Sequence, residues 1–140
     1  MKVSARCDYA CKALLELALH WPNKGPVRIH HISERQGIPV KYLVQILIQL
    51  KRMGLIESVR GRQGGYTLAA SPEKISLGEV MRQIGGPVLQ ISAAASKNGS
   101  LFADIWREAS EGISKVLDSV TFAQIAEKTK EMNKTVIYQI

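Results

Sequence analysis

The chain has 140 residues, of which 46% are hydrophobic, and a formal net charge of +7. This length and composition can bury one ordinary core with an extension. No apolar run reaches the roughly eighteen residues of a membrane span, and the first twenty residues lack the order of a signal peptide, so a cytoplasmic location is expected. Two cysteines, Cys7 and Cys11, are too few and too close together for a disulfide framework.

The positive charge is concentrated in one half of the chain. Residues 1–70 hold eleven Lys and Arg against four Asp and Glu, whereas residues 71–140 hold eight of each. A basic surface on one part of a protein favours a polyanionic partner such as nucleic acid.

A first helix is predicted over residues 3–21, followed by a loop and a short helix from about His30 to Gln36. Asp8, Lys12 and Glu16 are expected on the exposed face of the first helix. Its apolar face is predicted to contain Cys7, Ala10, Cys11, Leu14, Leu17, Ala18 and Trp21.

The stretch from Ile38 to Leu68 predicts a winged helix-turn-helix. Apolar residues at three-and-four spacing indicate a helix with one buried face, made of Leu43, Ile46, Leu47 and Leu50. Gly54 ends this helix, and strands over 55–60 and 66–68 enclose a turn rich in glycine and arginine. The predicted fold is therefore mainly α with a small β wing, extended by a long dimerisation helix.

The helix and the wing supply the candidate DNA contacts. Lys41, Tyr42 and Gln45 are predicted to reach base edges in a major groove. The wing candidates, for a minor groove or a phosphate, are Arg60, Gly61, Arg62, Gln63, Gly64 and Gly65. Weaker phosphate candidates are Arg28, His30, Lys51 and Arg52. A solvated helix face beside an ordinary hairpin is the alternative interpretation.

The C-terminal half predicts three further elements. Ser76 begins a helix that runs to about Ile84, residues 88–100 form a loop, and Thr121 begins a last helix to about Met132. Between them, a long helix over 101–120 carries an apolar stripe of Leu101, Ile105, Ala109, Gly112, Ile113, Val116, Leu117 and Val120. Dimerisation through this stripe is the favoured interpretation, and packing within one chain is the alternative. The predicted domains are 1–86 for DNA binding, 87–100 for the loop, and 101–140 for dimerisation and the last helix.

Several motifs resemble the Rrf-two family of bacterial transcriptional regulators, across roughly residues 1–127. The resemblance is carried by Tyr9-Ala10, Leu14-Leu15, Leu17-Ala18, Gly37-Ile38, Lys41-Tyr42-Leu43, Gln45-Ile46-Leu47, Gly54-Leu55 and Ser58-Val59-Arg60-Gly61. Trp106-Arg107-Glu108 and residues 117–123 extend it, and Gly64-Gly65-Tyr66-Thr67-Leu68-Ala69 is its most specific part. Within the family, the chain looks most similar to the IscR-type branch, the iron–sulfur cluster regulators.

The resemblance implies a homodimer that binds a palindromic operator and usually represses transcription. In the IscR-type branch, three cysteines of the loop and one other residue hold a 2Fe–2S cluster. The matching positions here are Ser92 or Ala93, Ser96 and Ser100, with Asp8 as the possible fourth ligand. Since serine and alanine do not replace thiolates, no cluster or other cofactor is expected in this chain, whether the cysteines were lost naturally or by engineering.

Two further departures concern specificity and metal binding. IscR-type proteins often carry an acidic residue in the recognition helix where this chain has Val44, so operator choice is expected to be looser or shifted. Cys7 and Cys11 are predicted to be buried small hydrophobes, and His20, His30 and His31 show no metal-ligand spacing with them. No metal site is expected.

Two alternative functions are consistent with the same sequence. A regulator that responds to a small molecule or a protein partner, rather than to a cluster, fits the same motifs, and some winged helices bind proteins instead of DNA. No nucleophile triad, nucleotide loop or pair of carboxylates indicates an enzyme.

Overall fold

The computed structural model describes residues 2–95, 97 and 99–139, with only the backbone over residues 136–139. In this part of the chain, the helices are α1 (Ala5–Leu19), α2 (Ile29–Gln36), α3 (Val40–Arg52), α4 (Leu77–Gly85), α5 (Leu101–Asp118) and α6 (Phe122–Gln139). The strands are β1 (Ile56–Val59) and β2 (Gly65–Leu68), and a short 3-10 turn, Pro72–Lys74, precedes α4. The predicted fold, mainly α with a small β wing, is confirmed.

One hydrophobic core holds the three N-terminal helices, the wing and the last helix together. Leu14 of α1, Ile32 of α2 and Leu47 of α3 are all buried in it, and Phe122 and Ala126 of α6 reach the same core. Burying one large apolar side chain contributes about 1.5–3 kcal/mol. Because α6 packs on α1, the C-terminal helix helps to fix the helix-turn-helix.

Local signals in the sequence set the helix ends. Gly37 ends α2 in the left-handed conformation with φ of 67°, and Gly54 follows α3 with φ of 76°. The Ser76 hydroxyl accepts a hydrogen bond from the Glu79 amide at the start of α4. Thr121 and Gln124 exchange two such bonds at the start of α6. The predicted capping residues Ser76 and Thr121 are therefore confirmed.

Three details differ from the prediction. Helix α1 ends at Leu19, so Trp21 lies beyond it with 36% of its surface exposed instead of on the buried face. Helix α6 continues past Met132 to Gln139, because no glycine or proline interrupts residues 122–139. The prediction that Glu16 lies on the exposed face of α1 is wrong, since Glu16 is 1% exposed.

The end of α5 is tied to the start of α4 by main-chain hydrogen bonds. The Leu77 amide donates to the Val120 carbonyl at 2.8 Å, and the Phe122 amide donates to the Ile75 carbonyl at 3.0 Å. Residues 86–95 between these helices form no regular helix or strand. No helix among the described residues combines the length and apolarity needed to cross a bilayer.

Candidate nucleic-acid interface

Helix α3 presents one buried face and one polar face. Leu43, Ile46, Leu47 and Leu50 are buried as predicted, with exposed fractions of 3% or less. The three predicted base-reading residues, Lys41, Tyr42 and Gln45, are exposed near its N-terminal end. Its sequence contains no Asp or Glu, so the charges on the polar face are all positive. Such a face can approach a phosphate backbone without repulsion.

The N-terminal part of α1 borders this face, a relation that the sequence did not reveal. The Arg6 guanidinium donates a hydrogen bond of 2.8 Å to the Gln49 side-chain oxygen on α3. The rings of Tyr9 and Tyr42 lie with their centres 6.5 Å apart. Arg6 therefore adds an exposed cation beside the recognition helix. Only the folded chain brings it there, because Arg6 and Gln49 are 43 positions apart.

The wing is a two-stranded antiparallel hairpin in which Ile56 pairs with Leu68 and Val59 with Gly65. The Gly64 amide donates to the Gly61 carbonyl at 3.0 Å and closes the turn. Arg60, Gly61, Arg62 and Gln63 are exposed at its tip, whereas Gly64 is buried and Gly65 half-buried. The two arginines are thus free to contact a polyanion.

Val27 adds a third extended segment to the wing and brings Arg28 to it. The Val27 amide donates to the Tyr66 carbonyl at 2.9 Å, and the Tyr66 amide donates back to the Val27 carbonyl at 2.8 Å. One concave surface is consequently lined by Arg28, Ile29, His30, Ser58, Val59, Gly61, Gly64, Gly65 and Tyr66. The structure therefore joins two of the weaker phosphate candidates, Arg28 and His30, to the wing.

The other two phosphate candidates lie at the far end of α3. Lys51 donates a hydrogen bond of 2.8 Å to the Ser58 hydroxyl, so it is already attached to β1. Arg52 is exposed. Neither residue lines the concave surface of Arg28 and His30.

The predicted dimerisation stripe is only partly covered. Five of its members are exposed, namely Leu101, Ile105, Ala109, Gly112 and Val116, and three are half-buried, namely Ile113, Leu117 and Val120. Phe102 and Trp106 stack with ring centres 6.0 Å apart and extend the exposed apolar part of α5. Leu101, Phe102 and Val116 expose between 64% and 72% of their surface.

A cluster of metal-ligand residue types lies where α1 meets α2. One ligand atom each from Glu16, His20 and His31 lie within 4.8 Å of one another. The sequence predicts no metal site, because Glu16 is expected in solvent and the histidines show no metal-ligand spacing with the cysteines. The spacing of four between Glu16 and His20 on α1 is the signal that could have indicated the pair.

A short recognition helix followed by a basic wing defines a winged helix-turn-helix DNA-binding protein. The model of the Rrf2 family, described as iron-dependent transcriptional regulators, matches residues 3–128. The chain therefore belongs to the Rrf2 family.

Relatives and solved structures agree with this assignment. The chain is 37% identical over 131 residues to the HTH-type transcriptional regulator IscR of Aliivibrio salmonicida, covering 89% of this chain and 77% of that protein. It is similar to the structure of T. potens IscR with a TM-score of 0.79 and 35% identity, over 94% of this chain and 90% of that one. The structure of CymR, the global cysteine regulator of B. subtilis, gives a TM-score of 0.80 and 28% identity, over 91% and 98%. The protein is an IscR-like DNA-binding transcriptional regulator.

The loop positions that match the cluster ligands do not offer the donors that a 2Fe–2S cluster requires. Ser92 uses its hydroxyl to accept a hydrogen bond from the Ala95 amide, and Ser100 precedes α5 as its N-cap residue. Ala93 has no donor atom in its side chain, and Ser96 lies outside the described residues. The Asp8 carboxylate pairs with Lys12 at 2.8 Å, and its hydrogen bond raises the pKa of Lys12.

The two cysteines are equally unsuited to hold iron. Cys7 is buried on α1 as predicted, whereas Cys11, also predicted to be buried, is half-buried. Burial raises the pKa of the Cys7 thiol, and burial together with the neighbouring Cys7 raises the pKa of Cys11 to about 12. Both groups therefore stay protonated thiols near neutral pH, whereas cluster ligation uses thiolates. The residues present therefore do not fit a 2Fe–2S cluster.

Proposed function

We propose that this regulator is a homodimer that binds a palindromic operator and represses transcription without an iron–sulfur cluster. Lys41, Tyr42 and Gln45 of α3 read base edges in the major groove, and Gln45 is suited to pair with adenine. Arg60 and Arg62 carry the wing into the adjacent minor groove or onto phosphates, with Gly61, Gln63, Gly64 and Gly65 allowing the close approach.

Phosphate contacts flank these two elements in the proposal. Arg28 and His30 line the same concave surface as the wing, so one stretch of backbone can run over all of them. Lys51 and Arg52 contact the backbone at the other end of α3, and Arg6 extends the basic face beside Gln49. Contacts of this kind fix the register of the protein on the duplex but do not read its sequence.

The homodimer is supported by the exposed apolar part of α5. Leu101, Phe102, Ile105 and Trp106 expose between 40% and 72% of their surface on two successive turns. A monomer in water gains stability by covering such a patch, and a second copy of the same helix offers a matching surface. Two-fold symmetry in the protein then requires a palindromic operator. In this arrangement residues 1–86 bind DNA, 87–100 form the connecting loop and 101–140 supply the dimer helix and α6.

The cluster-free state is supported by the serines and alanine at the loop positions and by the protonated thiols of Cys7 and Cys11. Anaerobic incubation with iron and sulfide, followed by visible absorption, tests it directly. We expect the protein to stay colourless after desalting, because neither the loop nor α1 provides thiolates. A stable visible band with iron and sulfide in equal amounts contradicts this part of the proposal.

One observation carries the regulatory proposal, namely the exposed, acid-free polar face of α3 beside a basic wing. Selecting bound fragments from the source genome tests it. We expect enrichment of a palindromic sequence, bound at least about a thousandfold more tightly than random DNA. Gln45→Ala is expected to relax the preference at one position of each half-site, whereas Lys51→Ala weakens binding to all sequences alike. Enrichment of no common sequence contradicts the proposal.

In vitro transcription from a promoter carrying the selected site decides the sign of regulation. We expect less transcript with the protein than without it. Higher transcript levels contradict the repressor role and leave the DNA contacts unaffected.

A further inference from the structure

A buried carboxylate with one unpartnered oxygen lies in the middle of α1. Glu16 is 1% exposed. Its Oε1 accepts a hydrogen bond from the Gln36 amide at 3.1 Å and lies 3.6 Å from the Arg35 guanidinium. Its Oε2 is buried and accepts no hydrogen bond within the described part of the chain. A buried charged oxygen without a partner is costly, and this cost calls for a second group that compensates it.

Two histidines stand beside that oxygen. His20 follows Glu16 by one helical turn, and its Nδ1 lies 3.6 Å from Oε2. His31 comes from α2, and its ring meets the His20 ring edge-on with centres 5.4 Å apart and planes at 87°. The exposure rises from the buried Glu16 through the half-buried His20 to the exposed His31, so the group opens to solvent on one side.

We propose that Glu16, His20 and His31 bind a divalent first-row transition metal ion. Two imidazoles and one carboxylate form the donor set that proteins use for zinc and for ferrous iron, with a water molecule completing the coordination. Ligand atoms on a tetrahedral metal at 2.0–2.1 Å lie about 3.3 Å apart. The three atoms here lie within 4.8 Å, and His31 is exposed and can rotate to close the difference.

The environment of the three ligands suits a metal site. His20 Nδ1 lies 2.9 Å from the Glu16 carbonyl oxygen, and in the tautomer that donates Nδ1–H to that oxygen the lone pair for a metal ion is on Nε2. Backbone carbonyls commonly orient metal-binding imidazoles in this way. Gln36 and Arg35 hold the other carboxylate oxygen, so Oε2 keeps its lone pairs for the ion. Hard cations such as Mg²⁺ prefer oxygen ligands and are poorly suited to this set.

The site would join α1 to α2, the first helix of the helix-turn-helix. Its existence does not depend on the proposed DNA contacts, because binding of the ion is measured without DNA. A failure of operator binding therefore leaves the metal site standing, and a failure of metal binding leaves the DNA interface standing.

Isothermal titration of the untagged, metal-free protein with Zn²⁺ tests the site. We expect one ion per chain and a rise in the melting temperature that Mg²⁺ does not reproduce. Co²⁺ is expected to give visible d–d absorption without the charge-transfer band of a thiolate. A repeat with Fe²⁺ under anaerobic conditions shows whether the site also takes iron.

Substitutions test whether zinc binds at Glu16, His20 and His31 or at other side chains. Removing the exposed ligand in His31→Ala should weaken Zn²⁺ binding at least about tenfold and remove the thermal shift. The neighbouring His30→Ala and the double change Cys7→Ser with Cys11→Ser should keep the affinity of the natural chain for zinc. The proposal is overturned if the natural chain binds no Zn²⁺, if His31→Ala binds it equally well, or if either control loses it.

Discussion

Arg60 lies at the start of the wing turn with an exposed guanidinium, two positions before Arg62. We expect Arg60→Ala to weaken operator binding by about 1–3 kcal/mol, because a guanidinium in a groove or on a phosphate makes charge-assisted hydrogen bonds. Fluorescence anisotropy with a labelled operator fragment measures the loss.

The matched control for Arg60 is an exposed cation outside the interface. Lys130→Ala on α6 removes the same charge and should change the affinity little. Equal losses in the two variants show that only the net charge matters and reject a specific role of Arg60.

Cys11 yields a prediction from its shifted pKa. Burial and Cys7 raise the pKa of the Cys11 thiol to about 12, so less thiolate forms at pH 9 in the folded chain than in the unfolded chain. Alkylation by iodoacetamide at pH 9 should therefore be much slower for the folded protein than in urea, and its rate should keep rising above pH 10. A rate that levels off near pH 8.5 contradicts the assignment.

Residue by residue, the sequence predicts surface chemistry better than buried polar groups. Lys41, Gln45 and Arg62 are exposed as predicted, because charged and amide side chains rarely enter a core without partners. Glu16 is the exception. Its neighbours Gln36 and His31 belong to another helix. A local sequence pattern does not predict that a carboxylate is buried by a different helix.

At the scale of elements, the wing depends on a close backbone approach at Gly65. Gly65 has φ of +146°, and a Cβ there would lie 2.5 Å from the Val27 carbonyl oxygen and 2.6 Å from its carbon. We expect Gly65→Ala to lower the free energy of unfolding by more than the roughly 1–3 kcal/mol of a strained backbone alone, since it also forces Val27 away from β2. Urea denaturation measures the change.

Gly61 is the matched control in the same turn. It also has a positive φ, of +111°, but a Cβ there meets nothing within 4 Å. Gly61→Ala should therefore cost only the backbone strain. If Gly65→Ala is as stable as the natural chain, Val27 does not pack against the wing as described.

The sequence predicts elements well where the signal is local. Apolar spacing in α3, glycines at 37 and 54, and the capping residues Ser76 and Thr121 each act within a few residues of the boundary that they set. It does not predict the pairing of Val27 with Tyr66 or the docking of α6 on α1. These contacts join segments more than thirty positions apart, and several apolar surfaces compete to cover the same helix.

At the scale of the whole molecule, the exposed apolar part of α5 predicts a homodimer. Ile105 is 43% exposed between Leu101 and Trp106. A carboxylate in an apolar interface is costly, so Ile105→Asp should convert a dimer into a monomer. Light scattering at micromolar concentration should give twice the chain mass of 15.5 kDa for the natural protein and the mass of one chain for the variant.

Met132→Asp provides the matched control, because Met132 is an exposed apolar residue of α6 outside the proposed interface. It should remain a dimer. If light scattering gives the mass of one chain for the natural protein, the proposed role of α5 is contradicted, whatever the variants do.

The family and the fold could be predicted from the sequence, because glycines and regularly spaced apolar residues carry most of the resemblance to the Rrf2 family. The shape of the candidate DNA interface could not be predicted. Arg6 reaches it from α1, and Arg28 reaches it through the pairing of Val27 with the wing, so both positions follow from tertiary packing. A basic half of the chain indicates a polyanion partner but not which cations lie together.

The central claim is that the basic face of α3, the wing and the start of α2 binds duplex DNA through its phosphates as well as its bases. Anisotropy titrations of the natural protein with a genome-selected operator over a range of KCl concentrations test it most directly. The logarithm of the binding constant should fall linearly with the logarithm of the salt concentration, with a slope of about −0.9 for each phosphate contacted. Binding that is independent of salt, or no saturable binding at low salt, contradicts it.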